Sequence, residues 1–198
     1  MQILRIDSAT TGDASVSREL TDAIAEHFRA KYPDATWVVR DFATDPLPHL
    51  DVAKTGAIRQ PQDAHDGAMK AAFPAERAVL DEFLASDIVI LGVPMYNFTV
   101  PSSIKAWLDR LGVPGVTFGY SEKGPEGLAG GRRVIVASSR GGAYEMGGPA
   151  EHQETYLKTF FNFIGIDDVE FVRAERIGFG PEAKDSAMTA AREEIAKL

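Results

Sequence analysis

The stretch "DIVILGVPMYNFTVPSSIKAWLDRL", residues 87–111, decides the fold. Its first seven residues, 87–93, form a nearly continuous apolar and β-branched run, the pattern of a strand buried on both faces. Further on, Ile104, Trp107, Leu108 and Leu111 recur at helical spacing, and Gly112 with Pro114 stops the helix. Between strand and helix, "PMYNFTVP" sets Met95, Tyr96, Asn97 and Phe98 on a turn. Large apolar side chains usually stabilise a fold by burial, so an exposed turn carrying them suggests that something flat and partly apolar covers it.

The same alternation repeats outward in both directions. "QILRI" (2–6), "TWVVRD" (36–41), "RVIVAS" (133–138) and "DVEFVRAERI" (168–177) read as further strands. Stretches of helical period separate them. In the first, Leu20, Ile24, His27 and Phe28 share a face, and "KYPD" ends the helix. The sequence after Gly178, Gly180 and Pro181 predicts a terminal helix. The whole predicts an α/β protein: a five-stranded parallel sheet with helices on both faces. Region 42–72 has little periodicity and reads as an excursion with short helices, suited to a lid or a dimer contact. Region 112–131 is rich in glycine and reads as a loop or small hairpin standing above the sheet.

Composition excludes several classes. The 198 residues, 44% hydrophobic and 25% charged, suit a single domain over 1–198. The absence of cysteine removes disulfides and thiolate chemistry and fits the reducing cytoplasm. A net charge of −8 without a basic cluster argues against nucleic acid. The run "IVILGV" is too short to span a bilayer, and "MQILRIDSAT" does not read as a targeting segment. His27, His49, His65 and His152 lack paired ligand spacing, so no metal is expected. Neither a G-x-S-x-G elbow nor a dinucleotide or P-loop glycine fingerprint occurs.

In an open parallel sheet, ligands bind beyond the carboxyl ends of the strands. There the sequence places "DSATTGDASVS" (7–17), "PMYNFTVP" (94–101) and "SSRGGAYEMGGP" (138–149). Ser15 and Ser17 stand where a helix begins; they either cap it or help its N–H groups take a phosphate. Met95, Tyr96 and Phe98 suit the surroundings of a heterocycle whose polar edge meets backbone, or else a subunit contact. In the third loop two glycines let backbone pass close to a ligand, and Arg140 pairs with a ligand anion or with a surface carboxylate. A phosphate site, an aromatic wall and a close backbone edge at one end of one sheet suit FMN.

These segments, together with "GVTFGYSEKGPEGL" and "FNFIGI", resemble the FMN-dependent NADH-azoreductase family, also described as NADH:quinone oxidoreductases of flavodoxin-like fold, over nearly the whole chain. The resemblance implies a homodimer with one noncovalent FMN per subunit at the dimer interface. It implies reduction of quinones and azo bonds with NADH or NADPH by two-electron (hydride) transfer in a ping-pong cycle. The flavin carries that chemistry, so no catalytic side chain is expected. The rival reading is an FMN-binding electron carrier or sensor without its own turnover. Carried over residue by residue, the resemblance assigns the phosphate to Ser8, Ser15, Val16 and Ser17, and the ring to Met95, Tyr96, Asn97 and Phe98. It assigns the glycine loop to Ser139, Arg140, Gly141 and Gly142, and the substrate side to Phe98 and Tyr120. One departure stands out: Ala9 follows Ser8 where the family usually has a second serine, and Thr10 is the candidate substitute.

Overall fold

Alternate residues along the strands of the main sheet are sorted onto two helical layers. A computed structural model describes residues 1–122 and 124–198. In chain order the elements are β1 (Gln2–Asp7), α1 (Val16–Lys31), β2 (Thr36–Asp41), α2 (Val52–Arg59), α3 (Gly67–Leu84), β3 (Ile88–Pro94) and α4 (Ser102–Leu111). There follow β4 (Phe118–Ser121), β5 (Gly124–Gly127), β6 (Arg133–Ser139), α5 (Glu154–Phe163), β7 (Val169–Ala174) and α6 (Pro181–Ile195). The main sheet has the order β2-β1-β3-β6-β7, and every neighbouring pair is parallel. This is the five-stranded parallel sheet with helices on both faces that the sequence predicts.

Ile3, Ile88, Ile90, Ile135 and Val172 point to one layer, where Leu20, Ile24 and Phe28 of α1 and Met188, Ala191 and Ile195 of α6 cover them. Leu4, Ile6, Val89, Leu91, Val134 and Val136 point to the other, against Leu80 and Phe83 of α3, Ile104, Trp107 and Leu108 of α4, and Leu157 and Phe161 of α5. A side-chain period of two thus feeds two cores from the same strands. Gly92 is required by this packing: a Cβ there would stand 2.9 Å from Asp7 Oδ1 and 3.0 Å from Thr21 Cγ2.

Three sequence expectations need correction. The last strand stops at Ala174, because Arg176 takes a left-handed φ of 60° and the chain turns away. Region 42–72 holds α2, and α3 already starts at Gly67, with Asp51 and Asp66 accepting from the N–H of Lys54 and Met69 as N-caps. The glycine-rich region does form a hairpin, β4–β5, but it leaves the end of α4 and enters β6, so it is rooted at the amino ends of the strands. It is therefore not above the ligand end of the sheet. Its base presses Gly127 onto Gly165, where an added Cβ would lie 2.1 Å from the Gly165 nitrogen.

Behind α3 and α4 lies a buried ion pair. Arg110, 1% exposed, sets Nε 2.6 Å from Glu76 Oε2, and its Nη2 donates to the Pro48 carbonyl over 2.7 Å. It ties the excursion to the helical layer.

Candidate functional site

β1 and β3 are adjacent and parallel, yet α1 leaves for one layer and α4 for the other. The loops that follow them therefore part, and a crevice opens at the carboxyl ends of these strands. Ser8, Ser15, Val16, Ser17, Met95, Tyr96, Asn97, Phe98 and residues 139–142 all lie on loops, strand ends or the first turn of α1 at this edge. Tyr120 does not: it is on the hairpin rooted at the opposite end, 77% exposed, its ring edge-on to Phe118. Within one chain, Phe98 and Tyr120 do not form one pocket.

In the first loop Ser15 is the N-cap of α1, its hydroxyl accepting from the Arg18 N–H over 3.1 Å. Its oxygen also lies 3.2 Å from that of Ser17. Among the described residues nothing accepts from the N–H of Val16 or Ser17, so the positive end of α1 keeps two donors beside two hydroxyls. Ser8 is turned inward and donates to the Gly92 carbonyl over 2.6 Å. Thr10 faces the other way, and its N–H donates to the Tyr96 hydroxyl over 3.0 Å.

The carboxylates behind this helix start are neutralised. Asp7 accepts from Arg5 at 2.9 Å and Thr21 at 2.6 Å, and Arg18 pairs with Asp41 at 2.7 Å and approaches Asp7 to 3.6 Å. Burial works against the Arg18 charge, but its hydrogen bond to Asp41 and the charges of Asp7, Asp41 and Asp22 outweigh this and hold its pKa above the ordinary value. An anion at the start of α1 therefore meets paired, not bare, acids.

The second loop is a tight reverse turn. Tyr96 and Thr99 exchange both backbone hydrogen bonds, at 3.0 and 3.1 Å, while Asn97 and Phe98 have φ of 48° and 72°. Two successive left-handed residues are the signature of a type I′ turn. Asparagine tolerates that conformation; phenylalanine does so at a cost of about 1–2 kcal/mol. The strain holds the Phe98 ring in solvent, 51% exposed, edge-on to Tyr144. Backbone strain in an exposed aromatic is what a functional constraint leaves behind. Beside the turn, a groove of about 590 Å³ runs along α4 past Lys105 and Asp109 to Tyr156, whose phenol is pushed up to about 12 by burial and by Asp109.

The third loop rests on a buried polar network absent from the sequence reading. Arg140, 1% exposed, meets Glu154 at 2.5 Å and Glu151 and Glu175 at 3.4 Å, while Glu154 also binds Arg173. The sequence leaves Arg140 between a ligand anion and a surface carboxylate, and the resemblance gives it to the cofactor; its partners here are carboxylates, two of the three buried. With its guanidinium, N–H and carbonyl all engaged inside the chain, Arg140 braces the loop from behind and does not reach into the crevice. Gln153 joins the strand ends, donating to Val93 O at 3.1 Å and accepting from the Ser138 hydroxyl at 2.7 Å, and the Met95 N–H donates to Ser139 O at 2.8 Å. Glu151 accepts from the N–H groups of Gln153, Glu154 and Thr155 at the start of α5. An acid three residues before Glu154 in "EHQET" was the available signal.

This donor set fits a phosphorylated heterocycle. Free N–H groups and hydroxyls at the start of α1 match a phosphate dianion, and an aromatic turn stands across the crevice. Gly141 adds an independent sign. Its φ is not left-handed and a Cβ there would meet nothing within 4 Å, so nothing within the chain calls for glycine, whereas a molecule lying close against the loop would.

Comparison with known proteins agrees with this fold. A family model described as flavodoxin-like fold matches residues 1–198. The FMN-dependent NADH:quinone oxidoreductase of Ralstonia nicotianae is 50% identical over 194 residues, covering 96% of this chain and 93% of its own length. That of Rhizobium meliloti is 50% identical over 203 residues, covering 100% of this chain and 96% of its own. Among solved structures, an azoreductase from Bacillus anthracis superposes with a TM-score of 0.89 at 28% identity, over 100% of this chain and 97% of that one.

Proposed function

The chain belongs to the flavodoxin-like fold family and, within it, to the FMN-dependent NADH:quinone oxidoreductases, and from that premise we propose that it binds one noncovalent FMN per subunit and uses NADH to reduce quinones and azo compounds in a ping-pong cycle. It is an oxidoreductase of the flavoprotein class. The observation that carries the reading is the Asn97–Phe98 turn, a strained aromatic corner at the β1/β3 switch point.

In this reading Ser15, Val16 and Ser17 hold the phosphate, with Ser8 supporting the loop through Gly92. Residues 95–98 and the loop of Ser139, Gly141 and Gly142 hold the ring along its edges. Bound FMN supplies the two-electron chemistry. The chain orients it, excludes water and supplies backbone donors where negative charge grows. Phe98 walls a space for one planar guest, so the donor leaves before the acceptor enters. No acid–base side chain is assigned.

The reading includes a homodimer with the cofactor at its interface. The exposure of Phe98 and Tyr120, at opposite ends of one chain, supports it, because a two-fold partner brings remote surfaces together. It treats 1–198 as one domain, supported by the span of the family model, and places the protein in the cytoplasm, supported by the absence of cysteine.

The test is steady-state and spectroscopic. Purified protein is yellow and releases FMN on denaturation, NADH alone bleaches it, and initial-rate plots against NADH at fixed quinone concentrations are parallel. Intersecting lines or a flavin that NADH does not reduce overturn the mechanism and return the electron-carrier reading. Sedimentation at about twice the chain mass checks the dimer.

A further inference from the structure

The loop after β7 engages the glycine loop carbonyl by carbonyl. The Arg176 N–H donates to Gly142 O at 2.9 Å, the Ile177 N–H to Arg140 O at 3.2 Å and the Gly178 N–H to Gly141 O at 3.1 Å, while the Arg140 N–H donates to Ala174 O at 2.9 Å. Three successive carbonyls of the glycine loop are thus fixed toward residues 176–178. The chain has no cis peptide bond among the described residues, and in a trans peptide the N–H points opposite to its C=O. The N–H groups of Gly141, Gly142 and Ala143 are therefore turned away from residues 176–178, and no described residue accepts from any of them.

Two features of the bracing segment show what it costs to build. Arg176, exposed and without need of its position in any core, adopts a φ of 60° so that its own N–H reaches Gly142. Gly178 has no room to be anything larger without a shift: a Cβ there would lie 3.1 Å from Gly141 O and 3.4 Å from Gly141 Cα.

We propose that residues 176–178 are positioning residues for the cofactor: they set the direction of three backbone donors, at Gly141, Gly142 and Ala143, toward the acceptor edge of the bound ring. This rests on the FMN reading above. Donors aimed at an edge that becomes more negative on reduction stabilise the reduced form more than the oxidised form. The brace therefore acts, through its backbone hydrogen bonds, on the flavin's potential as well as on its affinity.

The experiment compares Arg176→Val with Arg176→Gly by FMN titration of the apoprotein and by the midpoint potential of the bound flavin. A β-branched side chain at left-handed φ drives residue 176 out of register, and glycine adopts it freely. Arg176→Val is expected to weaken FMN by about fivefold or more, roughly the loss of one well-placed hydrogen bond. Its potential falls below that of the native protein, and Arg176→Gly restores both values. If Arg176→Val does not fold by circular dichroism, Gly178→Ala carries the same expectation. Native affinity and potential in a folded Arg176→Val or Gly178→Ala overturn the proposal while leaving the FMN reading intact. A native protein that takes up no FMN overturns the reading itself, and the brace with it.

Discussion

Thr10 and Tyr96 meet across the crevice: the Thr10 N–H donates to the Tyr96 hydroxyl over 3.0 Å, and the two hydroxyl oxygens lie 3.2 Å apart. One phenol thereby ties the loop that begins α1 to the turn that ends β3. The serine-bearing half of the site and the aromatic half share a hinge pin. It also gives Thr10, next to Ala9, a structural role.

Removing only that oxygen tests the tie. Tyr96→Phe keeps the ring and its packing but loses both contacts, so FMN affinity is expected to fall by about fivefold, near 1 kcal/mol. Fluorescence titration of the apoprotein measures it. Unchanged affinity would show that the two loops hold their places independently.

Ser17→Asp sets a carboxylate beside the two free N–H groups of α1. An acid at a helix N-terminus favours the helix itself, so the fold is expected to survive, while repulsion between the carboxylate and a phosphate dianion expels FMN. Circular dichroism with FMN titration separates the two effects. A variant that binds FMN as tightly as the native protein removes the phosphate from this helix start.

Phe98→Asn replaces a strained residue by one that accepts left-handed φ. Stability is expected to hold or rise within about 1 kcal/mol, since backbone strain is relieved and the lost ring was half in solvent. Quinone turnover is expected to fall about tenfold, equivalent to about 1.4 kcal/mol of transition-state contact, with flavin content retained. Thermal melting and steady-state rates check the two halves separately.

The network under the third loop predicts an acid limb. Burial alone would raise the Glu151 carboxyl, but the N–H groups of Glu154, Thr155 and Gln153 outweigh it and hold its pKa below the ordinary 4.5. A carboxyl lowered on folding contributes stability above its unfolded value and loses it as pH falls through the lower folded value. Glu151→Gln is therefore less stable near neutrality and flatter in acid. Urea midpoints between about pH 6 and about pH 3 are expected to converge for the two proteins.

The sheet was legible because its strands are short β-branched runs and its helices amphipathic. Ile104, Trp107, Leu108 and Leu111 are all buried as their spacing predicts. α3 was obscured because Pro74 lies inside it and its first turns pack on α2 instead of the sheet, which weakens the periodic signal. The hairpin's composition was readable and its location was not, since which end of the sheet it occupies follows from the direction of α4. At the site, Ser15 was visible as a cap because capping is local. Gln153 and Arg176 were not, because their partners come from distant parts of the chain and isolated polar residues carry no period.

The pairing of Arg110 with Glu76 and the Pro48 carbonyl bears on how the molecule comes apart. Long connections between strands are normally the first segments to breathe and the first that proteases cut. Here, freeing the 42–66 segment takes the Pro48 carbonyl from a guanidinium that is 1% exposed, leaving it paired with Glu76 but with one buried N–H lacking its acceptor, which is unfavourable. The excursion is consequently bound to the fate of the helices beneath it. Its amide protons around α2 are expected to exchange at the rate of the helical layer, and limited proteolysis to spare the 42–66 segment until the fold as a whole gives way.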